Sequence, residues 1–132
     1  MIVLDTHVLI WVLQGAPRLG KRAARMVNQA LQHDQLATSA VVFWEVGLLV
    51  ARGRLKLAWS PLSFRIRVHS FGIIESPLTG DIALRAVDLT AMLADPADCF
   101  IAATAAAYQG KLMTADRRLL DAGVVDVVDA RR

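Results

Sequence analysis

Three carboxylates in this chain stand apart from every other charge, and a fourth ends an apolar run as one of them does. Asp5 is the only fully charged side chain among the first seventeen residues, and it directly follows Ile2-Val3-Leu4. Glu45 is the only charged residue between Ser39 and Ala51, with Val41, Val42, Leu48 and Leu49 as its helical neighbours. Asp98 is the only one between Pro96 and Gly110. Asp116 follows Leu112-Met113-Thr114 much as Asp5 follows its own apolar run. A carboxylate in apolar surroundings is costly unless something pairs with it. Several brought together cannot all stay ionised without a counter-charge. No lysine or arginine is adjacent in sequence to Asp5, Glu45 or Asp98, so the simplest counter-charge is a divalent cation. Oxygen ligands without His or Cys favour Mg²⁺ or Mn²⁺ over zinc. Such an ion beside basic patches suits phosphodiester hydrolysis, because it activates water and offsets charge on the phosphate.

Each acid also has a purely structural reading. Asp5 and Asp116 can each cap the helix that follows. Asp98 falls at the third position of a helix capped by Asp95 with Pro96 first, a favourable place in the helix dipole. Glu45 can be neutralised by a raised pKa or pair with a distant arginine.

The elements that must position these acids follow from periodicity and punctuation. Ile2-Val3-Leu4 reads as a strand buried on both faces, as in a parallel sheet. A first apolar helix follows and breaks at Gly15–Gly20. A second helix runs from Arg18 to about His33, with Ala23, Met26, Val27, Ala30 and Leu31 on one stripe. Leu36–Thr38 is a strand, Thr38 and Ser39 offer caps, and Ala40–Ala51 is a third helix stopped by Gly53. Arg54–Leu57 is an exposed connector. Ser60-Pro61 opens a fourth helix, and Gly72–Glu75 is a strand. Thr79 caps a fifth helix to about Leu93, and Asp95-Pro96 a sixth ending at Gly110. Lys111–Thr114 is a strand, Asp116–Asp121 a short helix, and Val124–Val128 a last strand. The alanine-rich run Ala102–Ala107 suits close packing. Strands alternating with helices imply an α/β fold, a parallel sheet of about five strands sandwiched between helices in three layers. Acids at strand ends then gather along the carboxyl edge of the sheet.

Length and composition bound the rest. The 132 residues suit a single domain spanning 1–132. The hydrophobic fraction of 55% and mean hydropathy of +0.44 are high, yet no apolar run approaches the roughly 18–20 residues of a membrane span. No basic stretch precedes the first apolar run, so it does not read as a signal peptide. The expectation is a soluble cytoplasmic protein whose surplus apolar surface a partner or a second copy covers. The single Cys99 excludes an internal disulfide and a multi-cysteine zinc site, and the three histidines lack paired ligand spacing. Net charge is +3 with a pI near 9.6. The bases cluster as Arg18, Lys21, Arg22 and Arg25, as Arg52, Arg54 and Lys56, and as Arg117 and Arg118. That pattern suits a polyanionic partner, or simply a solvated surface.

Four motifs in order, Leu4–Trp11 (LDTHVLIW), Ser39–Glu45 (SAVVFWE), Asp95-Pro96-Ala97-Asp98 with Phe100-Ile101-Ala102-Ala103, and Thr114-Ala115-Asp116, resemble the PIN-domain family. The likeness is to the VapC-like toxins of bacterial and archaeal toxin–antitoxin pairs, and it covers essentially the whole chain. It implies a metal-dependent endoribonuclease that cleaves RNA with Mg²⁺ or Mn²⁺, a homodimer, and a cognate antitoxin covering the site or its groove. The family's acids correspond to Asp5, Glu45, Asp98 and Asp116 as metal ligands and catalytic residues. Thr6 and Thr114 would be hydroxyls that orient carboxylates or water. His7 is common in the motif and is expected to be a polar residue on the first helix without a catalytic part. Where many relatives have an arginine after the third acid, this chain has Cys99, which removes a phosphate or carboxylate partner near the site and leaves the ligand set intact. Arg18, Arg22, Arg25, Arg52 and Arg54 are the candidates to track the RNA backbone. The apolar faces of the first helices and the fourth are the expected antitoxin groove. A catalytically silent PIN-like module that holds RNA or antitoxin is the alternative. A haloacid-dehalogenase reading wants a second acid where His7 stands, and a receiver reading wants an acidic pair at the first strand end and an aspartate at the third, where this chain has one acid and then Glu75-Ser76-Pro77.

Overall fold

The computed structural model describes residues 1–132. The order of elements is β1 (Ile2–Leu4), α1 (Thr6–Gln14), α2 (Lys21–Gln32), β2 (Leu36–Ser39), α3 (Val41–Ala51), α4 (Pro61–Ser70), β3 (Ile74–Ser76), α5 (Gly80–Val87), α6 (Pro96–Ala107), β4 (Lys111–Thr114), α7 (Arg117–Ala122) and β5 (Val127–Asp129). The five strands form one sheet in the order β3-β2-β1-β4-β5. Every pairing is parallel, with Leu4 opposite Thr38 on one side and Met113 on the other. The expected parallel α/β sandwich is therefore the observed fold, with β1 central between β2 and β4.

Central position explains the sequence of β1. Its two neighbours cover both hydrogen-bonding edges, and helices cover both faces, so Val3 and Leu4 are fully buried. Leu36, Leu112 and Met113 are buried beside them, and α6 adds Ile101, Ala102, Ala103 and Ala105. The small side chains of α6 let it lie close on the sheet, as its alanine run predicts. α1 leaves the sheet edge at once because Asp5 caps it, its carboxylate accepting from Val8 N–H at 2.9 Å. It ends at Gly15, whose φ of +61° is the left-handed cap that glycine adopts without strain.

Several element boundaries differ from expectation: α2 starts at Lys21 rather than Arg18, β3 is Ile74–Ser76 rather than Gly72–Glu75, and α6 ends at Ala107 rather than Gly110. α5 ends at Val87 rather than near Leu93. From there the backbone makes tighter bonds, with Asp88, Leu89 and Thr90 N–H donating to the carbonyls of Arg85, Ala86 and Val87. Short turns of this kind redirect the chain so that Leu93 is buried and Asp95 can cap α6. β5 is shifted to Val127–Asp129, where Thr114 lies opposite Asp129. α3 begins after Ala40, not with a serine or threonine at the cap, although Ser39 Oγ accepts from Val41 N–H at 3.2 Å. No helix is long and apolar enough to cross a membrane.

Candidate active site

The parallel register converts sequence positions into a site. Because Leu4 is opposite Met113, Asp5 and Thr114 emerge side by side at the carboxyl edge. Thr114 Oγ1 donates to Asp5 Oδ2, while Asp5 Oδ1 holds the start of α1. The same threonine hydroxyl accepts from Asp116 N–H at 3.0 Å. One hydroxyl thus orients one carboxylate and fixes the backbone of another. Across the edge, Thr6 Oγ1 donates to Glu45 Oε1, tying α1 to α3. Asp95 caps α6 by accepting from Ala97 N–H at 2.9 Å, and Asp98 follows on the first turn.

Asp5, Glu45, Asp98 and Asp116 all line one cleft of about 670 Å³, together with Thr6, His7, Trp11, Arg18, Asp95, Ala115, Arg118 and Arg131. Four acids widely separated in sequence are brought to one place. They ring the cleft rather than meet at a point, and no three of them are close enough together to share one ion as they stand. Their side chains are held from outside: Asp5 by Val8 and Thr114, Glu45 by Thr6, and Asp116 by Arg118.

The electrostatics separate these acids into two kinds. Asp5 is only 7% exposed, and burial pushes its pKa up despite the bonds from Thr114 and Val8. Burial likewise raises Glu45, against the hydroxyl of Thr6, with the charge of Asp95 adding to the rise. Asp98 makes no ion pair, and burial followed by repulsion from Asp95, Glu45, Asp116 and Asp5 pushes it up to about 7. Asp116 is the exception. Burial opposes its charge, but hydrogen bonds and the charge of Arg118, with the guanidinium 3.1 Å away, hold it below its ordinary value. Its carboxylate also caps α7, accepting from Arg118 N–H at 2.9 Å.

Asp5, Asp95 and Asp116 all cap helices, as a structural reading expects. Capping does not exhaust them, because Asp5, Glu45 and Asp98 face one cleft and none has a lysine or arginine within salt-bridge reach. A hard divalent cation fits this donor set: it is all oxygen, contains at least three carboxylates without a base, and has hydroxyls already orienting two of them.

The other candidates are distributed differently. Arg18 lines the cleft. Arg22 lines a separate hollow beside β5. Arg25, Arg52 and Arg54 are exposed and lie outside the cleft. Cys99 points into the core, 2% exposed, its thiol 3.3 Å from the Leu93 carbonyl. A guanidinium there would have to leave the core, and the arginine next to the acids is instead Arg118. His7 is exposed at the cleft. In the sequence Asp95 reads as a cap alone, and Arg131 does not stand out. The three-residue spacing from Asp95 to Asp98 places both on one side of a helical turn and was the available signal. Nothing in the sequence marks Arg131, which reaches the cleft only because β5 pairs with β4.

The PIN domain family model matches residues 2–125. Ribonuclease VapC22 of Mycobacterium tuberculosis is 36% identical over 120 residues, covering 89% of this chain and 88% of that protein. A toxin–antitoxin complex from Klebsiella pneumoniae contains a chain similar in structure, with a TM-score of 0.64, 25% identity and 98% of both chains covered. VapBC2 from Rickettsia felis, solved with a DNA fragment from its promoter, shares the fold with a TM-score of 0.70 at 14% identity, over 97% of this chain and 98% of that one.

Proposed function

This chain belongs to the PIN domain family, and from that premise we propose that it is a divalent-metal-dependent endoribonuclease, the toxin of a toxin–antitoxin pair acting in the cytoplasm. The observation that carries the reading is the cleft in which Asp5, Glu45 and Asp98 face one another with no base to pair them. Asp5, Glu45, Asp98 and Asp116 would hold Mg²⁺ or Mn²⁺. Bound there, the cation would polarise water and offset charge on the scissile phosphate.

The chain's own groups do the positioning. Thr114 fixes the rotamer of Asp5 and Thr6 that of Glu45, so these carboxylates are oriented before any ligand arrives. Asp98, free of hydrogen bonds to other side chains, is the carboxylate with most to gain from a cation. Arg18 and Arg131 face the acids and supply positive charge for the phosphates that flank the cut. Arg118 stands ready to exchange Asp116 for a phosphate oxygen, because its side chain is 77% exposed.

The relatives named above support an antitoxin partner, and the surface offers apolar ground for one. α4 exposes Leu62 and Ile66, whereas α1 buries Val8, Leu9, Ile10 and Leu13 and contributes little. Of the helices expected to line the groove, α4 and α3 thus offer exposed apolar side chains, α3 through Trp44, and α1 few. α5 and the turn after it expose Leu84, Val87 and Met92, a second apolar patch that suits a homodimer contact.

The test is to incubate the purified protein with RNA in Mn²⁺ or Mg²⁺, with and without EDTA. Metal-dependent cleavage lost in folded Asp5→Asn and Asp98→Asn is the expected result. Binding of RNA without cleavage under every metal condition would leave the silent module instead. Expression without antitoxin should arrest growth, and normal growth would overturn the toxin assignment.

A further inference from the structure

One short segment, Asp129–Arg132, joins the acidic cleft to a second, basic hollow. That segment continues β5 past its pairing with β4, and Ala130 N–H donates to the Thr114 carbonyl at 2.8 Å. On its other side it is bonded to the start of α2. Gly20 N–H donates to the Ala130 carbonyl and Arg22 N–H to the Arg132 carbonyl, both at 2.9 Å. The approach is so close that a Cβ on Gly20 would lie 2.2 Å from the carbonyl carbon of Arg132, so only glycine fits. Asp129 holds the turn by accepting from Arg131 N–H at 3.0 Å, and its carboxylate lies 3.5 Å from Arg131 Nε and 3.8 Å from Arg132 Nε.

From this fixed backbone, consecutive side chains leave for different places. Arg131 lines the acidic cleft that holds Asp5 and Asp98, together with Arg18. Arg132 lines a second hollow, of about 320 Å³, with Arg22, Lys111 and Arg117. The acids lining that hollow, Asp121 and Asp129, are already in ion pairs with Arg117, Arg131 and Arg132. Arg22 and Lys111 are exposed and have no acidic partner.

We propose that a single RNA strand leaves the cleavage cleft across Asp129–Arg132, with Arg18 and Arg131 on the phosphates next to the cut and Arg22, Lys111, Arg117 and Arg132 as a second backbone subsite beyond it. The proposal rests on the ribonuclease reading of the cleft. A polyanion is the ligand that uses both hollows at once, since neighbouring arginines on one rigid turn feed the two. The contacts are to backbone charge, so this subsite adds affinity and length preference rather than base specificity.

The experiment compares a long single-stranded RNA with a short oligonucleotide that spans only the cleft. The variant is the full chain carrying Arg22→Ala, Lys111→Ala and Arg117→Ala, all exposed positions. The expected result is that the kcat/KM advantage of the long RNA over the short one falls by about tenfold. Binding is measured separately by fluorescence anisotropy on an Asp98→Asn background, which needs no cleavage. There the slope of log affinity against log salt should become shallower by about 2, since each single-strand phosphate contact contributes about 0.7. Arg131→Ala should weaken both RNAs. An unchanged long-to-short ratio with an unchanged salt slope overturns the second subsite while leaving the nuclease intact. Failure of the unsubstituted protein to cut any RNA overturns the ribonuclease reading, and the anisotropy arm still decides the track. Equal loss on both RNAs in the triple variant, with a lowered melting temperature, shows a structural role and also overturns it.

Discussion

Asp5 and Glu75 occupy similar places in the sheet and opposite electrical surroundings. Asp5 immediately follows the central strand β1, and Glu75 lies within the edge strand β3, both toward the carboxyl edge. Arg65 holds Glu75 with two bonds, at 2.7 and 2.9 Å, and His69 Nε2 stands 3.1 Å away. The Arg65 bonds draw the Glu75 pKa below its ordinary value. Asp5 has hydroxyl and backbone partners but no base, and its pKa is raised. Both bases that meet Glu75 come from α4, which packs beside the edge strand. A central strand is walled off by its neighbours, so a cation reaches Asp5 only through the open cleft. The contrast separates an acid whose partner is built into the fold from a set of acids whose partner must be bound.

Neutralising the two acids in turn tests the contrast most directly. Asp98→Asn or Asp5→Asn should lower RNA cleavage by on the order of 100- to 1000-fold, the scale of removing one group that stabilises transition-state charge. Glu75→Gln should leave cleavage within about twofold in the same assay, because a surface ion pair carries little energy. Equal losses at Glu75 and Asp98 would erase the distinction.

A smaller effect should come from the hydroxyl that aims Asp5. Thr114→Val keeps the shape and removes the donor, and should cost about 10- to 100-fold in metal affinity or activity. Titrating metal by calorimetry against the unsubstituted protein gives the affinity arm. Unchanged affinity would mean that Asp5 needs no aiming.

Stability against pH should also divide the two regions. Asp98 is raised in the fold to about 7, so its contribution is present at low pH and lost as pH rises through that value. The metal-free protein should therefore melt at a lower temperature at about pH 8 than at about pH 5, and Asp98→Asn should flatten this difference. Saturating Mg²⁺ should restore the loss at the higher pH, by about 2.7 kcal/mol at a hundredfold excess over Kd. At the lower pH, where Asp98 is protonated, the ion should do less. A melting temperature that rises toward pH 8 without metal would contradict this account.

The smallest expected effect belongs to Glu75. Its pKa is lowered, so its contribution is present above its ordinary value and lost as pH falls through the depressed folded one. Glu75→Gln should change stability only slightly near neutral pH, and added salt should shrink even that difference. A large, salt-insensitive loss would show that the Arg65–Glu75 pair is a structural anchor.

Much of this was legible in the chain itself. Ile2-Val3-Leu4 announces a strand covered on both faces, and its bulk and branching leave it no other comfortable place. The isolation of Asp5, Glu45 and Asp98 from other charge singles out an apolar neighbourhood, which is a property of composition and needs no coordinates. The caps at Ser60, Thr79 and Asp95 are local hydrogen bonds and appear where expected. The end of α5 and the position of β5 are not legible in the sequence because each is set by what the chain must reach next, not by its own residues. The role of Arg131 is hidden for the same reason, whereas that of Asp95 is carried by its three-residue spacing from Asp98.

Sequence alone therefore determined the elements, the parallel α/β class and the set of unpartnered acids, since periodicity, capping and charge isolation are local properties. Tertiary structure alone decided which hydroxyl serves which carboxylate, that Cys99 turns away from the site, and that Arg131 and Arg132 part over Gly20. Each depends on how elements far apart in the chain pack, as when Leu4 opposite Met113 sets Asp5 beside Thr114. No local pattern encodes that distance, because it is the packing of the whole sheet that closes it.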